Sequence, residues 1–288
     1  MLRIARRRRL ERWVVGVIVL VAVTLVLVLL GRIGLFDGGG APAAPAQQTP
    51  GFDPVARPAD PTRPFAGTPA ASWPDGAAGI VPPAPIALGG FSEPQVAAAL
   101  DQVRTLLVTS RLDPAIVVTH DPSRFLAAFA PDARRQLEPL FGSGREAQAQ
   151  SLVSMVAADA RLLPVEPKVT GRMWPEAGGA GELVVHTNYL FVYAFEAPEP
   201  STDLMDALVV VRADVDYILR AGDSWAAGSH GWWYGRAGGY AYSIACDAYR
   251  KGFIAPVITE RKTTTPSGDR AAYFNIDTPL PATSGCPR

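Results

Sequence analysis

The sequence predicts an α+β fold: N-terminal helices packed on one face of a curved antiparallel sheet, preceded by one transmembrane helix. Three observations lead there. An uncharged apolar run at residues 13–30 follows a cluster of arginines. Apolar spacing is helical from residue 92 to about 164, and then changes to a period of two over 183–195 and 207–219. The two alternating stretches are separated by too few residues for a crossover helix, so they should pair antiparallel. Helices segregated ahead of a run of strands imply helix-on-sheet layers.

The membrane segment comes first. Residues 13–30 hold no charge, and 18 residues at about 1.5 Å each cover roughly 27 Å, close to the hydrocarbon thickness of a bilayer. Arg3, Arg6, Arg7, Arg8, Arg9 and Arg12 precede the run against the single acid Glu11. Arginine-rich short flanks stay cytoplasmic. Residues 1–12 are therefore read as a cytoplasmic basic tail, 13–31 as the transmembrane helix, and the remainder as extracytoplasmic. A cleaved signal peptide would have a shorter apolar core and a small-residue site just behind it. Here Arg32 follows the run, and the nearest Ala-x-Ala patterns begin only at Ala41 and Ala44. An uncleaved anchor is the expectation.

Formal charge sums to zero but is unevenly spread. Residues 1–32 carry seven Arg and one Glu, net +6, which leaves 20 basic against 26 acidic residues beyond them, net −6. The outer part thus lacks the cationic footprint that phosphate backbones require, and no nucleic-acid partner is expected. Cys246 and Cys286 are the only cysteines. Outside the membrane an even count without Cys-x-x-Cys spacing points to one disulfide, not a metal or redox centre.

Residues 37–90 hold 12 of the 27 prolines with no helical or strand period. Segment 32–90 is read as a disordered Pro/Gly/Ala-rich tether. The folded domain is then 91–288. Ser92-Glu-Pro-Gln95 has the capping-box pattern, followed by Val96, Leu100, Val103 and Leu107 at helical spacing. Asp121-Pro122 opens a second helix, interrupted and restarted at Pro131. Ser143-Gly-Arg-Glu146 suggests a third, carrying Leu152, Met155 and Val156 towards Pro164. Strands are expected at 166–174, 183–195, 207–219, 224–234 and 239–246.

Arginine outnumbers lysine 24 to 3, alongside high Ala and Pro. With its anchor, tether and one domain, the chain resembles single-pass membrane proteins of actinobacteria to which no activity is assigned. Over 91–246 the order of helices and then strands is also loosely similar to the NTF2-like and cystatin-like α+β cone. That likeness implies architecture alone, because such cones host enzymes and binding modules alike.

Most catalytic signatures are absent. There is no His-Glu-x-x-His, phosphate-cradling glycine loop, Gly-x-Ser-x-Gly elbow or Ser-x-x-Lys, and neither a cofactor nor a metal site is expected. Gly222-Asp223-Ser224 resembles the nucleophile block of GDSL-type hydrolases, but it lies late in the domain with no Asp-x-x-His behind it, and it suits a turn. Two candidate sites remain. Trp232, Trp233 and Tyr240, in the glycine-rich 228–243, could form an aromatic platform for a sugar ring or a peptide. If the odd positions of the two long strands face the helices, the even ones face away. A hairpin centred near Pro200 then sets His186 opposite Asp214 or Asp216, with Asn188 near Arg212 or Asp214. His186, Asp214, Asp216 and Arg212 are the candidate catalytic group, with His186 as general acid or base.

These features suggest a membrane-anchored extracytoplasmic module that binds a cell-envelope protein or cell-wall glycan without catalysis. The alternative is a small-pocket envelope hydrolase using the His/Asp cluster on the open face of the sheet.

Overall fold

Alternation over two long stretches makes the sheet the organising element. In the computed structural model, residues 60–197, 203–260, 270–280 and 286 are described. They belong to one compact unit, Thr49–Arg288. Four strands, β1 (Lys168–Ala177), β2 (Glu182–Ala194), β3 (Leu208–Arg220) and β4 (Gly231–Tyr242), form an antiparallel meander in sequential order. Helix α1 (Glu93–Arg111) is followed by the short α2 (Pro114–Val117), α3 (Ser123–Ala127) and α4 (Pro131–Leu137), and α5 (Cys246–Arg250) follows the sheet. The α+β class and the strand pairing agree with the sequence reading. Among the described residues no helix is long and apolar enough to cross a membrane, and the segment read as transmembrane, 13–31, lies outside them.

The odd positions of β2 and β3 do face the helices. Leu183, Val185, Tyr189, Phe191 and Tyr193 are wholly buried against Val96, Leu100, Val103 and Leu107 of α1. The α1 cap is made as its sequence implies, with the Ser92 N–H donating to Gln95 Oε1 at 2.8 Å. Pro131 opens α4 as its first residue.

Three expectations need correction. First, residues 60–90 are not a tether. Phe65, Ala70 and Ile80 are buried, and 3-10 turns at Pro69–Ser72 and Gly76–Gly79 lie against the sheet. Arg104 of α1 holds the second turn, donating from Nε to the Ile80 carbonyl at 3.0 Å and from Nη2 to the Ala77 carbonyl at 2.9 Å. A Cβ at Gly79 would collide with the Val169 backbone, so this approach to β1 needs glycine. The reason for the packing lies in the strands. At one end the even positions Leu190, Val192, Leu208 and Val210 are also apolar, and they require a cover. Phe65, Ala70 and Phe274 provide it, forming a second core on the far face.

Second, the helix expected from the Ser143 cap to near Pro164 is only a 3-10 turn at Glu146–Gln148. Residues 152–156 are all buried, which no single helical face allows. Leu152 and Val153 close a turn on the Ala149 carbonyl instead, and Val156 bridges Ile254. Third, the two strands expected at 224–234 and 239–246 are one continuous β4, which carries a bulge opposite the Val215–Tyr217 stretch of its partner β3.

Cys246 and Cys286 form a disulfide, with Cα atoms 5.3 Å apart. It ties Cys286 to α5. Cys286→Ser should cost about 2–4 kcal/mol, read as a lower melting temperature, whereas an unchanged melting temperature would show that the link is energetically idle.

Candidate functional site

The β2–β3 register places His186 directly across from Asp216, Asn188 across from Asp214, and Leu190 across from Arg212. The cross-strand juxtaposition expected from the hairpin is therefore present for the histidine and both aspartates. His186 Nδ1 lies 2.8 Å from Asp216 Oδ1, and Nε2 lies 3.0 Å from Glu176 Oε2 on β1. An ionised carboxylate only accepts hydrogen bonds, so a ring nitrogen that carries its hydrogen is the donor in either contact. Trp174, across from His186 on β1, stacks on the imidazole with centroids 5.1 Å apart and planes 21° apart. The indole is 39% exposed, so it presents ring surface to solvent.

The β4 bulge supplies the other charge. Gly235 and Arg236 together oppose Asp216, and this extra residue aims Arg236 over the strand pair. Arg236 Nη2 lies 2.8 Å from Asp214 Oδ1 and 3.3 Å from Asp216 Oδ1. The hydrogen bond to Asp214, helped by the charges of both aspartates, holds its guanidinium above the ordinary arginine range. Arg236 is half exposed, so these pairs contribute on the order of 1 kcal/mol or less and act chiefly to position the aspartates.

Further along the same face, Arg220 lies between two indoles. Its guanidinium carbon is 4.1 Å from the Trp225 ring centre and 4.4 Å from that of Trp233, and Nε donates to Glu182 Oε1 at 2.9 Å. Stacked cation–π pairs of this kind contribute about 0.5–1 kcal/mol each when exposed.

Other residues singled out in the sequence lie elsewhere. Arg212 does not join the His–Asp group. It is buried, donating from Nε to Asn188 Oδ1 at 3.0 Å, from Nη2 to the Ile276 carbonyl at 2.6 Å, and from Nη1 to the Thr278 carbonyl. Its task is to hold segment 275–280 over the sheet. Trp232 and Tyr240 are no platform either. Trp232 is buried on the helix side, donating from Nε1 to Gln102 Oε1 at 2.7 Å. Tyr240 is buried on the opposite side, its hydroxyl donating to the Tyr273 carbonyl at 2.9 Å. The bulge between them reverses the parity of β4, so two even-numbered residues point to opposite faces. Of that trio only Trp233 reaches the open face. Gly222-Asp223-Ser224 is part of the β3–β4 turn, with Gly222 at φ 82°.

Sequence reasoning missed Trp174, Glu176, Arg236 and Arg220. Trp174 and Glu176 were legible in principle as alternate positions of the expected strand at 166–174 and its extension. Arg236 was not, because its direction depends on the bulge. Among the described residues no group of His, Cys, Asp and Glu is arranged to hold a metal ion. Comparison of the chain with protein-family models, with curated proteins and with solved structures gave no match in any of the three.

Proposed function

We propose that this chain is a membrane-anchored, non-enzymatic module, of the actinobacterial single-pass type, that binds a cell-envelope protein or glycan on the outer side of the membrane through the open half of its sheet. The anchor and orientation rest on the apolar run at 13–30 and its arginine flank. The disulfide supports an oxidising compartment. The observation that carries the binding reading is the state of His186. Both ring nitrogens are engaged by carboxylates and one ring face is stacked on Trp174. A general acid or base needs a nitrogen aimed at substrate, and a histidine clamped on both sides is instead a connector that fixes an exposed indole. The surface around it alternates aromatic faces with charges of both signs, which suits recognition.

A photo-crosslinking residue at position 174, in cells, tests this directly. Discrete adducts should form there but not at the exposed control position Val81, and Asp216→Asn, which loosens His186, should cut the yield several-fold. Removal of the adduct by protease or by a glycan hydrolase distinguishes the two partner classes. Equal labelling at 174 and 81 would refute the assignment of this face.

A further inference from the structure

Arg111 ends α1 and is 1% exposed. Its Nη1 donates to Ser154 Oγ at 3.1 Å and to the Gln150 carbonyl at 3.4 Å, and Nη2 donates to the Ser151 carbonyl at 2.5 Å. All three acceptors are neutral oxygens. A guanidinium carries five donor hydrogens, and here the Nε–H has no acceptor at all. Two phenols lie close by, Tyr193 and Tyr217, and burial pushes both up to about 12. They stay neutral at physiological pH and supply no counter-charge. A cation stripped of water without a counter-anion is costly.

This deficit adjoins open space. Arg111 lines a cavity of about 180 Å³ on the helix side of the edge strand β4. Gln150, whose Oε1 also lacks a partner, lines it too. Val153, Val211, Phe253 and Ile254 give the wall its apolar part, Ser154 and Tyr249 add hydroxyl groups, and Gly238 and Gly239 contribute backbone alone. Gly239 is exposed and Tyr249 half-buried, so the cavity reaches solvent on that side. An apolar cavity of about 150 Å³ accommodates a benzene-sized molecule, so this one has room for a small organic ligand.

We propose that this cavity is a binding site for a small organic monocarboxylate. Its carboxylate accepts from Arg111 Nε–H and the remaining Nη2 hydrogen, and its hydrocarbon part lies against Val153, Val211, Phe253 and Ile254. One guanidinium balances one negative charge.

The purified full-length chain in detergent micelles can be titrated with sodium butyrate and sodium benzoate at constant ionic strength, with butyramide as the neutral control. At least one carboxylate should raise the melting temperature saturably by several degrees and move one arginine Nε–H signal in the ¹H–¹⁵N spectrum, while butyramide does neither. Gln150→Glu places a carboxylate inside the cavity. It should melt higher than the native chain without ligand and bind the added carboxylate at least about ten-fold more weakly. Arg111→Met, where it folds, should lose the response. The proposal is overturned by an equal response to butyramide, by no saturable response up to about 20 mM of either carboxylate, or by an undiminished response in Gln150→Glu.

Discussion

Trp232→Ala should remove about 3–5 kcal/mol of unfolding free energy, while Trp233→Ala, one residue along the same strand, should remove only about 1–2 kcal/mol. The difference follows from the face each indole occupies. Trp232 lies in the main core between sheet and helices and donates to Gln102 Oε1. Trp233 lies on the open face, where it stacks on Arg220 and donates to the Ser229 carbonyl at 2.8 Å. Urea unfolding of both variants measures this contrast. A larger loss for Trp233→Ala than for Trp232→Ala would mean that β4 does not carry the bulge that reverses its parity, and the placement of Arg236 over Asp214 and Asp216 would fall with it.

Replacing Arg212 by leucine should cost about 3–4 kcal/mol, because it leaves Asn188 Oδ1 and the Ile276 and Thr278 carbonyls short of a charged donor in a buried place. For a domain of this size that corresponds to a melting temperature lower by roughly 6–15 °C. Arg212→Lys should recover little, since a single ammonium cannot span three acceptors in the way the planar fork does. Hydrogen exchange locates the effect. The amides of 275–280 should lose protection first, while α1 keeps its own. Uniform loss across the domain would show instead that Arg212 supports the whole sheet and not the covering segment.

How far the chain can be read in advance depends on the range of the interaction. The α1 boundaries are local: Ser92 and Gln95 cap one end within a single turn, and the apolar stripe follows at helical spacing. The β2–β3 hairpin is nearly local as well. Alternation over 13 residues in each strand allows only registers an even step apart, which set His186 opposite Asp214 or Asp216, and the pairing formed is with Asp216. The disulfide was legible by elimination, since Cys246 has one possible partner.

Tertiary contact decided the rest. Residues 60–90 read as a linker because proline-rich composition hides a few spaced anchors, yet Phe65 and Ala70 are drawn in by the apolar even positions of β2 and β3, far along the chain. Residues 152–156 read as helix because their local spacing allows it, but complete burial and the pairing of Val156 with Ile254 leave them as a turn and an isolated bridge. The sense of β4 turns on one extra residue opposite Asp216, and period-two reasoning cannot detect an insertion that costs it one step. Which residues alternate, which cap and which cysteines pair follow from near neighbours and from burying one face. What covers the second face, and which side chains look out from what is left of it, was decided only when distant segments competed for the same apolar surface.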